Sequence, residues 1–414
     1  MVKPGYKQTE IGIIPEDWTV ANFGSKVKIF RGGSPRPIQD YLTQADDGVN
    51  WIKIGDVREG DKYITSTEEK IIHEGVSRSR TVHAGDFILS NSMSFGRPYI
   101  LNIDGCIHDG WLTIQEYEQT FSKDFLYYLL SSDSVYQQYI SMAAGSSVKN
   151  LNKEKVSALV VAYPEIGEQE KIAGALSCID ALIAYSEKEL AKEKAIKQGA
   201  MQELLTGKKR LPGFSGEWKS YKLRDLGEFL KGSGISRAES NTGKIPAVRY
   251  GELYTHHYNY VVDYISRISK AVAAKAKQVY KGDILFAASG ETKEEIGKCA
   301  AIFSQETIYA GGDILIFRPS VYLNPIFMGT LLNTADVCRQ RAEKGQGDAV
   351  VHIHTDSLGS IKIRIPENSE QDAIADILFE MDKEIKLLEQ KLEKYRQVKR
   401  GMMQQLLTGK IRLV

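Results

Sequence analysis

The chain has 414 residues, a formal net charge of +1, 42% hydrophobic and 26% charged residues. That length holds two substantial cores, and the charge is too balanced for a protein that grips duplex DNA by basicity alone. No apolar run approaches about 18 residues, no secretory leader opens the chain, and Cys106, Cys178, Cys299 and Cys338 stand isolated, so a membrane span, secretion and a disulfide framework are not expected and a reduced cytoplasm is.

In chain order, residues 16–163 form a first block of ordinary domain size. Short β-rich runs at 49–54, 87–90, 111–114 and 158–162, mixed with a helical stretch at 124–131, predict an α/β fold with a sheet. The block carries 15 basic and 19 acidic residues. From Pro164 the period changes. Ile172, Leu176, Ile179, Ile183, Ser186 and Leu190 alternate in steps of four and three, a heptad seam of period 3.5, before the seam turns polar at Glu193 and Lys197. Thr206-Gly207-Lys208 marks a helix end.

Residues 217–365 form a second block, with 20 basic and 16 acidic residues. A second seam follows at Ile374, Leu378, Met381, Ile385, Leu388, Leu392 and Tyr395. Ser369-Glu370-Gln371-Asp372 reads as its start, with a hydroxyl cap and acids near the positive end of the helix dipole. Thr408-Gly409-Lys410 reads as its end. Each helix is expected to run about 35 residues, roughly 50 Å at 1.5 Å per residue. With a long domain between them, the two helices are expected to pair antiparallel.

The two helical stretches are copies. Residues 164–211 align with 366–413 without a gap, and 23 of the 48 positions are identical. The blocks before them repeat more weakly. Trp18 matches Trp218; Arg31-Gly32 matches Lys231-Gly232; Lys53 matches Arg249; Gly85-Asp86 matches Gly282-Asp283; Gly96-Arg97 matches Gly297-Lys298; and Gly145 matches Gly347. A shared skeleton with freely differing residues between landmarks is expected of two domains that keep one fold and read two targets with their loops. The architecture expected is therefore α/β: two similar mixed domains separated by two long helices pairing as an antiparallel coiled coil, pseudo-twofold and quasi-circular, with divisions at 1–163, 164–212, 213–365 and 366–414.

Catalytic motifs are not found. Gly290-x6-Gly297-Lys298 has the wrong spacing for a phosphate loop and no Ser or Thr after its lysine. His352-x-His354 and His256-His257 have no cysteine or acidic partner at a metal-like spacing, so no metal site is assigned. His108-Asp109 lacks a G-x-S-x-G context. Asn324-Pro325-Ile326-Phe327 lacks the second proline of an amino-methyltransferase motif. The chain reads as a non-catalytic recognition and scaffold protein. The alternatives are a self-contained DNA methyltransferase or nuclease with disguised motifs, and a coiled-coil scaffold that binds only proteins.

Gly5-Tyr6-Lys7-x-Thr9-Glu10-Ile11-Gly12-x-Ile14-Pro15-x-Asp17-Trp18 resembles the opening of type I restriction–modification DNA specificity subunits. So do Gly145-Ser146 through Leu151 to Pro164 with Glu168-Gln169-x-x-Ile172-Ala173, the second copy Gly347 through Ile353 to Pro366 with Glu370-Gln371-x-x-Ile374-Ala375, and the Leu-Leu-Thr-Gly-Lys endings. The resemblance covers the whole chain. It implies two target recognition domains, each reading one half of a bipartite, asymmetric site on double-stranded DNA, and a helix pair that sets the spacer. It also implies two methyltransferase subunits carrying S-adenosylmethionine and two restriction subunits that translocate and cut DNA with ATP and Mg. No cofactor is expected in this chain itself.

Candidate DNA contacts follow from the paired landmarks. Arg31, Gly33, Ser34, Lys231 and Ser233 lie in glycine-rich turns where backbone can approach a phosphate. Lys53 and Arg249 occupy matching strand positions, and Arg78 and Arg80 stand among hydroxyl residues. Ser92, Ser94 and Arg97, and Ser289, Lys293 and Lys298, flank matched glycines. Tyr250, Tyr254 and His256 form an aromatic, polar run. Glu168, Gln169, Glu370 and Gln371 are expected to be exposed and to contact the methyltransferases. Gly199 and Gly401, inside their helices, are expected to mark a close approach or a bend.

Overall fold

A computed structural model describes residues 2–58, 60–91, 95–143, 151–347 and 350–414. Gly145, Ser92 and Ser94 lie outside the described residues. The chain packs as two compact units, Met1–Glu187 with Gln390–Val414, and Lys188–Glu389. Each unit thus holds one block, the first half of the long helix that follows it and the last half of the other long helix.

In the first unit a five-stranded sheet runs in the order Lys28–Arg31, Trp111–Gln115, Phe87–Ser90, Pro98–Leu101, Tyr63–Ile64, with only the last pair parallel. The period of two divides the apolar run 87–89. Phe87 and Leu89 enter the core under the helices Lys123–Leu130 and Asp133–Ala143, while Ile88 packs with Tyr99, Leu101 and Trp111 on the other face. A second five-stranded sheet is ordered Leu42–Thr43, Glu69–Ile71, Val49–Ile52, Gly105–Ile107, Arg80–Val82. The predicted strand 49–54 stops at Ile52, because Ile54–Asp56 is a 3-10 turn in which the Asp56 carboxylate accepts from the Lys53 amide. The run 158–162 becomes a strand over Val160–Tyr163, since the helix Lys153–Ser157 extends to its cap at Ala158.

The second unit repeats this topology. Gly227–Lys231, Ile314–Pro319, Ile284–Ala287, Cys299–Ile302 and Asn259–Val261 form the five-stranded sheet. Ser266–Ile268, Ile245–Val248, Ile308–Ala310 and Lys277–Val279 form a four-stranded one. The parallel pairs fall at the equivalent places in both units.

The long helices span Ile166–Leu204 and Asn368–Leu406, 39 residues each. Within each unit the two half-helices run antiparallel in one register. Asp180 pairs with Lys399 and Glu187 with Arg396 in the first unit; Asp382 pairs with Lys197 and Glu389 with Lys194 in the second. These are repeat-equivalent positions. Tyrosine hydroxyls reinforce them from different elements: Tyr128 donates to Asp180 at 2.7 Å and Tyr260 to Asp382 at 2.8 Å. Burial, and then the neighbouring carboxylate, push both phenols well above their ordinary range. The polar break at Lys197 is therefore a seam cation with a named partner. Partly exposed pairs add little stability, about 1 kcal/mol or less each, but they fix register.

Seam residues Ile172, Leu176, Ile179, Ile374, Leu378 and Leu392 are buried, and Ile183, Leu190, Met381, Ile385 and Leu388 are half-buried. Two helices close only a narrow seam. Gly207 and Gly409, at φ +68° and +67°, end the helices in the left-handed conformation expected of a terminal glycine. Gly199 and Gly401 differ from expectation: they are exposed, the helix runs through them, and nothing lies within 4 Å of a Cβ built on either. The second helix starts where expected, but Ser369 is not its cap. It lies in the first turn, with its hydroxyl on the Glu367 carboxylate.

Glu168, Gln169, Glu370 and Gln371 are buried, which corrects the expectation that they are exposed to a partner. Glu168 accepts from Trp18 Nε1 and from both Nε and Nη2 of Arg412. Arg412 also forks onto Asp17. Glu370 accepts from Trp218 Nε1 and Arg210 in the same way. Gln169 takes the Ser122 amide and donates to Thr120 and Pro164 carbonyls, and Gln371 takes the Asn324 amide and donates to Pro366.

Arg412→Ala leaves the Glu168 carboxylate buried without its cation. The expected cost is about 3 kcal/mol in chemical or thermal unfolding. The hydrogen bond from Arg412 is the main reason the Asp17 carboxyl sits below its ordinary value of 3.8. A depressed carboxyl stabilises the fold above that value and loses the contribution as pH falls through the folded-state value. Melting curves from pH 7 to 3 are expected to show this acid-side loss in the parent and a smaller one in Arg412→Ala.

Candidate nucleic-acid interface

In the first unit the turn after strand Lys28–Arg31 folds onto the segment 78–80. Ser79 Oγ donates to the Gly33 carbonyl at 2.8 Å. Asp109 gathers the turn: Ser34 Oγ donates to it at 2.9 Å, Arg36 at 3.3 Å, and Arg31 Nε to its backbone carbonyl at 3.3 Å. Burial works to raise the Asp109 carboxyl, but the Ser34 hydrogen bond and the neighbouring His108 and Arg36 outweigh it and hold it below its ordinary range. The Arg80 guanidinium stacks over Phe30 at 4.9 Å and that of Arg78 over Tyr41 at 5.4 Å. Arg31, Arg36, Arg78 and Arg80 are exposed, so four guanidinium groups share one edge.

The glycines of this turn do not cradle an anion. A Cβ on Gly32 would meet the His108 carbonyl oxygen at 2.0 Å, and one on Gly232 would meet that of Gly311 at 2.0 Å. Their amides, and those of Gly33 and Ser233, already donate to Trp111, Ile314, Ile107 and Ala310. Close backbone packing requires the glycine, and what the turn leaves free to face outward is its side chains.

The equivalent turn in the second unit packs against Lys275, whose carbonyl accepts from Ser233 Oγ at 3.0 Å. Strand Lys277–Val279 stands where Arg80–Val82 does in the first unit, so Lys275 and Lys277 take the places of Arg78 and Arg80. Both lysines, with Arg36 and Arg237, were missed from the sequence. Carrying the repeat alignment from Arg80-Thr81-Val82 to Lys277-Gln278-Val279 was the available signal.

A second cluster joins candidates far apart in sequence. Tyr254 Oη donates to the Ser289 carbonyl at 2.9 Å, and Ser289 Oγ lies 3.0 Å from His352 Nδ1. Lys298 Nζ donates to the Tyr254 carbonyl at 3.2 Å and sits 4.5 Å over the exposed Tyr258 ring. Burial pushes the Tyr254 phenol up to about 12, so it acts as a donor. Tyr250 and Lys293 are exposed nearby in sequence but are not drawn into this cluster. Arg97 is exposed at the place matching Lys298. Lys53 is held by Glu69 at 2.9 Å, so its charge is largely spent internally, and Arg249 is half-buried beside the Glu252 turn.

A cleft of about 950 Å³ opens in the first unit between the helix Lys123–Leu130 and the paired half-helices, lined by Lys62, Tyr127, Asp180, Glu187, Arg396 and Lys399. Among the described residues one group has metal-ligand character, His256, His257 and Asp263, whose ligand atoms lie within 4.8 Å of one another. This corrects the sequence reading, which saw no acidic partner for His256-His257; folding brings Asp263 back to them. No helix among the described residues is long and apolar enough to cross a membrane.

Residues 15–194 and 215–396 each match the model of the type I restriction modification DNA specificity domain. The chain is similar to the type I restriction enzyme MjaVIII specificity subunit of Methanocaldococcus jannaschii, 23% identical over 420 residues, covering 97% of this chain and 94% of that protein. In structure it resembles the type I restriction–modification S subunit from M. genitalium, with TM-score 0.57, 14% identity, and coverage of 94% and 96%. It also resembles a chain solved to explain complex assembly and conformational transition of the type I R-M system, with TM-score 0.59, 15% identity, and coverage of 96% and 99%.

Proposed function

Because the chain belongs to the type I restriction–modification DNA specificity family, and is a recognition subunit rather than an enzyme, we propose that its two domains read the two halves of a bipartite, asymmetric DNA site. The observation that carries this reading is the pair of equivalent cationic edges on one repeated fold. Arg31, Arg36, Arg78 and Arg80 mark the first; Lys231, Arg237, Lys275 and Lys277 mark the second. The scaffold is common, while the side chains aimed outward differ, and side chains specify sequence.

The helix pair sets the spacer. A helix of 39 residues is about 58 Å long, more than one DNA turn of about 34 Å. The repeated helix faces dock two methyltransferase subunits. Tyr185 and Leu387 are exposed at equivalent positions, as are Ile196 and Val398, and each shares with Gly199 or Gly401 the face turned away from the seam. With Glu168, Gln169, Glu370 and Gln371 committed to the interior, this face is the better docking candidate. S-adenosylmethionine then belongs to those methyltransferases, and ATP and Mg to two restriction subunits recruited through the complex.

Methylome mapping in cells expressing this chain with its methyltransferase tests the reading. Replacing residues 217–365 by the second domain of another specificity subunit should change one half of the methylated motif and leave the other half intact. A motif indifferent to the swap overturns it. On the assembled complex, R78A/R80A and K275A/K277A should each lower the salt slope of DNA binding by about 2, near one unit per lost phosphate contact; an unchanged slope removes those residues from the interface.

A further inference from the structure

The His256–Asp263 group is built from three short stretches of the second unit. Helix Glu252–Thr255 ends at His256 and His257, strand Asn259–Val261 follows, and Asp263 lies just beyond it. His256 Nε2 is hydrogen-bonded to Asp263 Oδ1 at 2.5 Å, a contact that a shared ion would replace, and the two imidazole rings meet nearly edge-to-face at 5.0 Å. His257 is the informative member. It is 1% exposed, and neither ring nitrogen has a hydrogen-bond partner. Its Nε2 faces the Glu252 carboxylate at 3.6 Å, an ion-pair contact longer than a hydrogen bond, while its Nδ1 has no polar partner among the described residues. Glu252 is itself engaged by the Ser266 hydroxyl and the Arg249 amide. A fully buried imidazole whose Nδ1 is unmatched is an exception among buried polar groups, and a bound ion is one of the few things that resolves it.

We propose that His256, His257 and Asp263 bind one divalent transition-metal ion, of the zinc class. Two imidazole nitrogens and one carboxylate oxygen form a three-ligand zinc set, with water completing a tetrahedron. Magnesium and calcium select all-oxygen sites and do not suit two imidazoles. Glu252, facing His257 Nε2, is placed to orient the ring as such carboxylates orient metal-bound histidines, which leaves Nδ1 for the ion. The ion clips the end of the short helix to the end of the edge strand, across a bend that carries the exposed Tyr258. This inference stands independently of the DNA-reading assignment, because its observable is the metal alone.

The test uses the untagged full chain, loaded with zinc, passed over a weak chelating resin and assayed by elemental mass spectrometry. Retention of about one zinc per chain is expected. Loss of that zinc is expected in H256A and in D263N, which alter the two exposed ligands and leave the buried His257 in place. Cobalt in place of zinc should give visible d–d absorption in the parent and none in either variant. A parent chain that retains no metal, or variants that retain it as well as the parent does, overturns the proposal.

Discussion

A buried glutamate in the first turn of each long helix is the constraint on which the rest of the fold depends. Glu168 sits where three separated parts of the chain converge: Trp18 at the entry to the first block, the helix itself, and Arg412 from the end of the other helix. Glu370 repeats the arrangement with Trp218 and Arg210. A buried carboxylate tolerates no vacancy among its donors, because an unpaired charge in the interior is strongly destabilising. Tryptophan, Glu-Gln and Thr-Gly-Lys-x-Arg-Leu therefore recur together. They are three contributions to one knot, made twice.

The knot and the ion pairs divide the work. The knot fixes where each helix begins relative to its own domain. Asp180 with Lys399, and Asp382 with Lys197, fix which residues of the half-helices face each other. A two-helix seam with half-buried Ile183 and Ile385 has little apolar surface with which to choose its own register, so polar positions choose it. Tyr128 and Tyr260 reach the same two aspartates from a helix in one unit and from a strand in the other. The repeat preserves the acceptor and lets the donor come from whichever element is near.

Much of this was legible in the sequence. The heptad steps and the Thr-Gly ends gave the helices, because period and terminal glycine are local signals. The landmark pairs gave the duplicated domain, since Gly32 and Gly232 are demanded by a carbonyl that no side chain can approach. What failed was long-range. Glu168 and Glu370 look like exposed acids at a helix start, and only the tertiary fold shows that Trp18, Trp218, Arg412 and Arg210 enclose them. Asp263 is seven residues from His256 and no motif links them; a helix end and a strand do. Lys275 and Lys277 escaped because the repeat weakens between its landmarks.

In the proposed function, the length of the long helices, 39 residues each, sets the distance between the two half-sites. Removing one heptad from the middle of each long helix keeps the seam in phase and shortens each by about 10 Å. Methylome mapping of that variant, expressed with its methyltransferase, is the most direct measurement. The account predicts that methylation of the original site is lost or moves to one with the same half-sites and a shorter spacer. Methylation at the original spacing, undiminished, would contradict it.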